Sequence, residues 1–378
     1  MTLGRGAGSF AAPMGAPTPS PGKTLAQRYF IDADVFAEET EKIFRARWLY
    51  LERASALENA GDFISTDLEG EGLIVVRDRE QSLRVFYNVC RHRGTRLCNE
   101  PKGTGARVFT CPYHAWSYGL DGSLKAAPHM DETADFTKAD FPLKSPAHAI
   151  WEGGVFVNLG DNPEPFEQAY APMLTKFAPW HLGELRPVHR EVYEVAANWK
   201  LIIQNYSECY HCPVIHPALE KLSHYRDTEN DLDEGPFLGG PMRIGQKGGG
   251  LSRDGQRTAP PLPGVSGENL QRAFYYSLFP TLLLSVQPDF VLMHQLQRVS
   301  PKHTRIVCQW LYHPEAIDGN GFDAQPTIDL WDEVNQQDWR VSELTQKGIG
   351  SRAYTPGPYS SLEGMPAAFD REYLKAMA

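Results

Sequence analysis

The chain has 378 residues, of which 42% are hydrophobic and 22% are charged, a composition typical of soluble globular proteins and unlike that of disordered or fibrous chains. The 47 acidic residues outnumber the 37 lysines and arginines, and the net charge of −10 argues against a nucleic-acid partner or an anionic membrane surface. The sequence contains no run of about 20 apolar residues, so we predict no membrane span.

The N-terminal part of the chain divides into a tail and a helical segment. Residues 1–22 are small and rich in proline, and they lack the apolar core of a signal peptide, so we predict a disordered tail on a cytoplasmic protein. Residues 23–53 are predicted to hold an N-terminal helix that packs on the C-terminal domain. The helix is predicted from apolar residues at near-helical spacing, namely Val35, Phe36, Ile43, Phe44 and Trp48.

The rest of the chain is predicted to form two domains of different texture. Residues 54–160 contain short β-type runs separated by Gly, Pro and Asp, as in a small all-β domain. Residues 161–378 mix helices and strands, which predicts an α+β domain with an antiparallel sheet. Helices are expected at 199–210 and 326–347, and strands at 274–287, 290–299 and 304–312.

The β-rich domain contains two Cys/His pairs. Cys90 and His92 are followed, after 18 residues, by Cys111 and His114. Zinc accepts two cysteines and two histidines, but zinc fingers place a cysteine pair before a histidine pair. One thiolate and one imidazole on each of two loops instead suit a [2Fe-2S] cluster with cysteines on one iron and histidines on the other.

With these pairs, and with Arg93-Gly94 and Trp116 in place, the domain resembles Rieske proteins. Rieske proteins of respiratory complexes carry an extra cysteine in each cluster loop, and the two form a disulfide. Here position 113 is Tyr, and Cys98 has no partner near the second loop. The oxygenase type of Rieske centre is therefore favoured, and Cys98 is expected to be a buried thiol.

A second group of metal-binding residue types lies downstream. Glu208 and His211 are three residues apart on a predicted helix that stops near Pro213, and His216 follows the stop. Asp338 lies far downstream among apolar residues, where an unpaired carboxylate would be costly. Two imidazoles and one carboxylate make the facial triad of non-haem Fe(II) oxygenases, which leaves positions open for O2 and substrate.

From about residue 25 to the C-terminus, the chain resembles the large subunit of Rieske non-haem iron oxygenases. The resemblance implies an all-β Rieske [2Fe-2S] domain at 54–160 and a helix-grip catalytic domain with a mononuclear iron at 161–378. It implies that Cys90, His92, Cys111 and His114 bind the cluster and that His211, His216 and Asp338 bind the iron. Glu208 matches the acid that bridges an iron-ligand histidine to a cluster histidine, here His114, of a neighbouring subunit.

Other residues of the second motif are less determined. Gln204 replaces the acid that is common at its position in the family, and Asn205 is expected to line the iron pocket. Cys209 and Cys212 are expected to be packed thiols, not metal ligands.

The family resemblance further implies a homotrimer that uses O2 and electrons from NAD(P)H, delivered by a separate flavin- or ferredoxin-type reductase. The run from Glu208 to Cys212 and the segment 352–360 are similar to the betaine, carnitine and choline branch. We therefore expect hydroxylation or oxidative N-demethylation of a small quaternary-ammonium substrate. Aromatic-ring oxygenation by a mono- or dioxygenase is the alternative, and a Rieske electron carrier without catalysis is a further one.

A quaternary ammonium group is held by aromatic faces. Strand residues that could supply them are Phe274, Tyr275, Tyr276, Phe279, Phe290, Trp310 and Tyr312. From these, the sequence-based prediction places Phe274, Tyr276, Phe290 and Trp310 in the substrate pocket.

Overall fold

The computed structural model describes residues 22–245 and 249–378, so all but the last residue of the predicted tail lies outside the described residues. The predicted N-terminal helix is divided into α1 (Arg28–Ile31), α2 (Ala33–Glu39) and a π-helical turn (Thr40–Phe44). The side chain of Asp32 accepts a hydrogen bond from the Asp34 amide and caps the start of α2.

The end of the predicted helical segment is a strand instead. Strand β1 (Leu49–Arg53) pairs antiparallel with β10 (Gly154–Asn158) in a three-stranded sheet. Its first three residues are all buried. The helical spacing of the preceding residues therefore ends before Leu49, where the chain pairs with β10. The helices before it pack on the C-terminal domain, where the Phe44 and Trp199 rings meet edge to face at 5.2 Å.

Two further small sheets complete the β-rich region, in the orders β4-β3-β2-β5 and β6-β7-β8. Their shared core contains Ile74, Phe86, Phe109 and Tyr118, together with the two cysteines of the predicted cluster loops. The two predicted cluster loops are therefore anchored in this core through their cysteines. The strands of these two sheets are β2 (Phe63–Leu68), β3 (Glu71–Arg77), β4 (Leu83–Tyr87), β5 (Lys102–Gly103), β6 (Val108–Thr110), β7 (Ser117–Gly119) and β8 (Leu124–Ala126). The third strand of the β1–β10 sheet is β9 (Ala147–Trp151).

The C-terminal domain is built on a six-stranded antiparallel sheet in the order β11-β16-β15-β14-β13-β12. The predicted strand 274–287 is in fact a hairpin, because Pro280 interrupts it and lacks the N–H that a ladder needs. The strands are β11 (Arg186–Val195), β12 (Phe237–Arg243), β13 (Arg272–Leu278), β14 (Leu282–Val286), β15 (Val291–Ser300) and β16 (His303–Tyr312).

Helices cover one face of this sheet, and the predicted iron ligands lie on these helices and in the turns between them. A core of α4, α8 and α9 residues packs on the sheet and includes Trp199, Ile202, Trp339 and Phe369. None of the helices in the described ranges has the length and apolar character needed to cross a bilayer. The helices are α3 (Phe166–Ala169), α4 (Trp199–Tyr206), α5 (Cys212–Ile215), α6 (Pro217–Glu220), α7 (Pro314–Ile317), α8 (Gln325–Ile349) and α9 (Gly364–Met377).

Candidate active site

The two predicted cluster loops meet at the tip of the β-rich region. Cys90 lies just after β4 and Cys111 just after β6, and both are nearly inaccessible. The His92 and His114 rings lie 4.7 Å apart, and His92 stacks on Trp116 at 4.8 Å. The structure thus brings two thiols inside and two imidazoles outside, which is the division that a Rieske cluster needs.

The electrostatics of these loops suit metal ligation. Burial by itself would raise the pKa of the Cys111 thiol, but the backbone N–H groups of Tyr113 and His114 and the Cys90 thiol donate to it and lower its pKa. Burial, His114 and Arg93 lower the pKa of His92. A thiolate and a neutral imidazole are the forms that bind metal. The Cys90 sulfur also lies 3.4 Å from the Tyr118 hydroxyl.

The second motif forms a turn, not the continuous helix that we predicted. Helix α4 ends at Tyr206, where the Ser207 hydroxyl donates back to the Ile203 carbonyl at 2.6 Å. The Glu208 carboxylate then accepts hydrogen bonds from the backbone N–H groups of Tyr210 and His211. These bonds replace the helical ones, so the proximity of Glu208 and His211 comes from the turn.

The predicted iron ligands converge from this turn and from α8. The closest approaches are 3.2 Å between the Nε2 atoms of His211 and His216, 2.9 Å from His216 Nε2 to Asp338 Oδ1, and 3.3 Å from His211 Nε2 to the same oxygen. Metal–ligand bonds of about 2.1 Å at right angles put neighbouring ligand atoms about 3.0 Å apart. A triangle of this size therefore fits one face of a mononuclear metal site.

Each imidazole is held by a partner on its other nitrogen. His211 Nδ1 lies 2.6 Å from Glu208 Oε1, and His216 Nδ1 lies 2.7 Å from the side-chain oxygen of Gln337. Such partners fix the tautomer and the orientation of a metal-binding histidine. Gln337 directly precedes Asp338 on α8, and no motif or spacing in the sequence indicates its contact with His216.

The triad is charge-compensated. Burial favours the neutral form of His211, yet hydrogen bonds to Asp338 and Glu208 raise its pKa to about 10. Burial likewise opposes ionisation of Asp338, but hydrogen bonds from His211 and His216 lower its pKa to about 2. The acidic pair of Glu208 and Asp338 thus attracts positive charge to this point, as a divalent cation requires.

A cavity of about 120 Å³ opens beside the triad. A cavity of this volume holds several water molecules, which suits a small substrate. Asn205 lines it as expected, and its buried side-chain oxygen has no hydrogen-bond partner in the described part of the chain. Among the described residues, no lysine or arginine lines this cavity.

Three aromatic side chains form one wall of the cavity, which we call the aromatic wall: Tyr206, Tyr275 and Trp331. The ring centres of Tyr206 and Tyr275 are 6.3 Å apart, and those of Tyr275 and Trp331 are 6.2 Å apart. Trp331 lies seven residues before Asp338 on α8, so two helical turns place both on one face. Trp331 therefore lies about 10 Å along α8 from Asp338.

The four aromatic residues predicted for the pocket lie elsewhere. On β13, Phe274 and Tyr276 point away from the cavity and pack on Trp180 and Phe177, because successive strand residues face opposite sides. Tyr275, between them, faces the cavity. Phe290 and Trp310 are fully buried in a core under α8. For Phe274 and Tyr276, the prediction therefore chose the wrong face of β13.

Gln204, which stands in place of an acid, is itself hydrogen-bonded to an acid. Its side-chain amide donates to Asp370 Oδ1 on α9 at 2.6 Å, and the Tyr359 hydroxyl donates to Asp370 Oδ2 at 2.8 Å. Burial raises the pKa of Asp370 to about 6. A carboxyl group thus contacts α4 at Gln204, and it comes from α9, far away in the sequence.

Comparison with known protein families agrees with this arrangement. Residues 47–139 match the Rieske [2Fe-2S] domain, and residues 182–378, more than half of the chain, match the catalytic domain of the ring hydroxylating alpha subunit. The chain belongs to the Rieske non-haem iron oxygenases. The family resemblance and the fold class predicted from the sequence are thereby confirmed.

Relatives of this Rieske oxygenase span nearly its full length. It is 30% identical to the glycine betaine monooxygenase oxygenase subunit of Chromohalobacter salexigens, over 89% of this chain and 82% of the other. It is 35% identical to the carnitine monooxygenase oxygenase subunit of Escherichia coli K12, over 88% and 85%.

Solved structures show the same fold. The quaternary ammonium Rieske monooxygenase CntA with L-carnitine superposes with a TM-score of 0.75, over 94% of this chain and 95% of the other, at 24% identity. Naphthalene 1,2-dioxygenase from a Rhodococcus species also reaches 0.75, over 93% and 94%, at 19% identity. Because these identities are low, both likenesses describe the fold of this Rieske oxygenase and not its substrate.

Proposed function

We propose that this Rieske oxygenase uses O2 to hydroxylate or oxidatively N-demethylate a small quaternary-ammonium substrate. The observation that carries the proposal is the aromatic wall beside an acidic metal triad. Ring faces attract a cation that has lost its water, and Glu208 and Asp338 add negative charge to the same cavity. The names of the betaine and carnitine relatives agree with this substrate class.

In this proposal, Cys90, His92, Cys111 and His114 hold a [2Fe-2S] cluster, and His211, His216 and Asp338 hold a mononuclear iron. The two centres together supply single electrons and the activation of O2. Glu208 holds the Nδ1 proton of His211 and links it to the cluster histidine of a neighbouring subunit in a homotrimer. A separate NAD(P)H-dependent reductase of the flavin or ferredoxin type supplies the electrons.

The protein's own contribution is to position the substrate and exclude water. The aromatic wall holds the cationic end, and the small cavity restricts which carbon atoms can approach the triad. The Asn205 amide, with its unpaired buried oxygen, accepts a hydrogen bond from a polar group of the substrate. Binding energy at the ammonium group is thereby used to place a neighbouring C–H bond, which is how remote contacts assist catalysis.

The test compares Tyr275→Leu with the matched control Phe274→Leu, which changes an aromatic residue on the opposite face of the same strand. With a trimethylammonium substrate, we expect KM to rise about tenfold in Tyr275→Leu, equivalent to ~1.4 kcal/mol. The control should change KM little. Product mass and substrate-dependent oxidation of the cluster are the measurements.

A neutral isostere provides the decisive comparison. A tert-butyl compound has the shape of the trimethylammonium substrate without its charge, so the wild type should process it poorly and Tyr275→Leu should lose little more. Equal use of the charged compound and its isostere would contradict the proposal. Better turnover of uncharged aromatic compounds would favour the ring-hydroxylating alternative.

A further inference from the structure

The turn that carries His211 also carries a pair of cysteines. Cys209 and Cys212 are joined by a disulfide, with their Cα atoms 5.0 Å apart, and both line the substrate cavity. We expected packed thiols from the sequence, and the structure instead holds the oxidised form. The pair is possible because the turn folds Cys212 back onto Cys209, whose carbonyl accepts the Cys212 amide at 3.1 Å.

The two sulfur atoms have different surroundings. Cys212 is 4% exposed, and its Sγ lies 4.0 Å from His211 Nε2. Cys209 is half-buried and follows Glu208 directly. Cys209 is therefore the more accessible of the two, and Cys212 lies within bonding distance of it.

The remaining cysteines outside the cluster loops provide a contrast. Cys98 and Cys308 are buried, free and absent from the lining of the cavity. Burial raises the pKa of the Cys98 thiol to about 11, and it also raises that of Cys308. Oxidation follows thiolate character and exposure, so these two thiols are expected to be inert.

We propose that Cys209 and Cys212 form a reversible thiol–disulfide site in the substrate cavity, oxidised by hydrogen peroxide and reduced by a dithiol. The Cys209 sulfur attacks one peroxide oxygen, so an S–O bond forms, the O–O bond breaks and one water leaves. The Cys212 sulfur then attacks Cys209, so the S–S bond forms, the S–O bond breaks and a second water leaves. The two sulfurs lose two electrons and the peroxide gains two.

The source of the peroxide rests on the proposed function. An oxygenase that passes two electrons and two protons to O2 without oxidising its substrate releases hydrogen peroxide into this cavity. The dithiol consumes it there, beside His211, before it attacks other side chains. A dithiol reductant restores the pair by exchange, with its own oxidation to a disulfide balancing the two electrons.

The test uses the purified holoenzyme, reduced with dithiothreitol, freed of reductant without air and treated with one equivalent of hydrogen peroxide. Peptide mass spectrometry then follows all cysteines outside the cluster loops. We expect the peptide containing Cys209 and Cys212 to lose about 2 Da and to regain it with dithiothreitol. The reaction should be at least about tenfold faster than any change at Cys98 or Cys308.

Two variants assign the steps. In Cys212→Ser, a sulfenic acid should persist on Cys209 and react with a sulfenic-acid trap. In Cys209→Ser, Cys212 should react at least about tenfold more slowly, because the exposed sulfur is gone. The visible spectrum of the cluster checks that both variants fold.

The proposal is overturned if Cys209 and Cys212 remain thiols under peroxide, if they oxidise no faster than Cys98, or if the product resists dithiothreitol. None of these results bears on the proposed function, which is tested by product formation. Conversely, a substrate of another class would leave the peroxide reaction of the pair unchanged.

Discussion

In the proposed function, communication between the two predicted metal centres depends on Glu208. Its carboxylate lies 2.6 Å from His211 Nδ1 and 11% of its side chain is exposed. Glu208→Gln keeps a hydrogen-bonding oxygen but removes the charge. We expect both metal contents to stay normal while substrate-dependent oxidation of the cluster slows by about 10–100-fold, measured by stopped-flow absorbance.

Glu220→Gln is the matched control for this change. Glu220 lies on α6, outside the cavity, and accepts a hydrogen bond from the Tyr225 amide at 3.0 Å. The control should oxidise its cluster at the wild-type rate. A wild-type rate in Glu208→Gln as well would remove Glu208 from this role.

Asp289 is a buried carboxyl group with no role in the proposed mechanism. Burial raises its pKa from 3.8 to about 7, although the Thr258 amide donates to it at 3.1 Å. Because the folded-state pKa lies above the unfolded one, the folded protein binds more protons between about pH 4 and pH 7. Its stability therefore falls as the pH rises through this window.

Asp289→Asn should remove this pH dependence, because the amide keeps an oxygen for Thr258 and carries no charge. At pH 8 we expect the free energy of unfolding to exceed that of the wild type by a few kcal/mol (roughly 1.4 per pKa unit as an upper limit). Near pH 3 the two should be equal. The measurement is a denaturant titration at several pH values, with the exposed Asp318→Asn as control. If the wild type and Asp289→Asn show the same dependence of unfolding free energy on pH, Asp289 does not cause it.

At the scale of elements, a buried ionic cluster joins the N-terminal helices to α4. Glu39 at the end of α2 is inaccessible and contacts Lys200 at 2.5 Å and Arg298 at 3.2 Å. It also accepts hydrogen bonds from Trp199 at 3.0 Å and Tyr373 at 2.8 Å. One carboxylate thus ties α4, β15 and α9 together, and α4 ends at the turn that bears His211 and His216.

Glu39→Ala should leave the buried Lys200 unpaired, while Arg298 keeps its ion pair with Glu69, and should reduce the free energy of unfolding by about 3–5 kcal/mol. The neighbouring Glu38→Ala removes an exposed pair with Lys42 at 2.9 Å, so its cost should stay below about 1 kcal/mol. Urea titration of the two variants is the measurement. Equal losses would show that the cluster adds nothing beyond a surface pair.

How far the sequence predicts this molecule depends on what fixes each feature. The four predicted cluster ligands come from residue type and spacing, because few chemistries use cysteines and histidines in this pattern, whereas the predicted iron ligands, Asp338 above all, come from the family resemblance. The aromatic wall cannot be predicted in this way, because Phe274, Tyr275 and Tyr276 are consecutive aromatic residues of β13 and the sequence does not show which of them faces the cavity. The contact of Gln204 with Asp370 is also hidden, since 166 residues separate them and spacing carries no information at that range.

The break after Tyr206 was hidden for a local reason. Apolar spacing favours a helix through residue 210, whereas the hydrogen bonds of Ser207 and Glu208 to the backbone end it early. Such side-chain competition with helical hydrogen bonds is weak in each case and depends on the fold around it. The structure therefore brings the predicted ligands together, but on a turn and not on the helix that spacing predicted.

At the scale of the whole molecule, the proposed homotrimer predicts complementation between two inactive variants, which electron transfer within a single chain does not allow. If the cluster of one subunit supplies the iron of the next, two inactive variants should restore activity together. Cys111→Ala removes a cluster ligand and keeps the triad, whereas Asp338→Ala removes a triad ligand and keeps the cluster. Iron analysis and the visible spectrum should verify these losses in each purified variant.

Coexpression in equal amounts gives mixed rings. Half of the chains then keep the triad, and about half of those meet a neighbour with an intact cluster on the donating side, so we expect about a quarter of wild-type activity per chain. Electron transfer within one chain predicts no recovery, because each variant lacks one of the two centres. Mixing the separately purified trimers without exchange of subunits is the control and should remain inactive, since the restored route exists only within a shared ring.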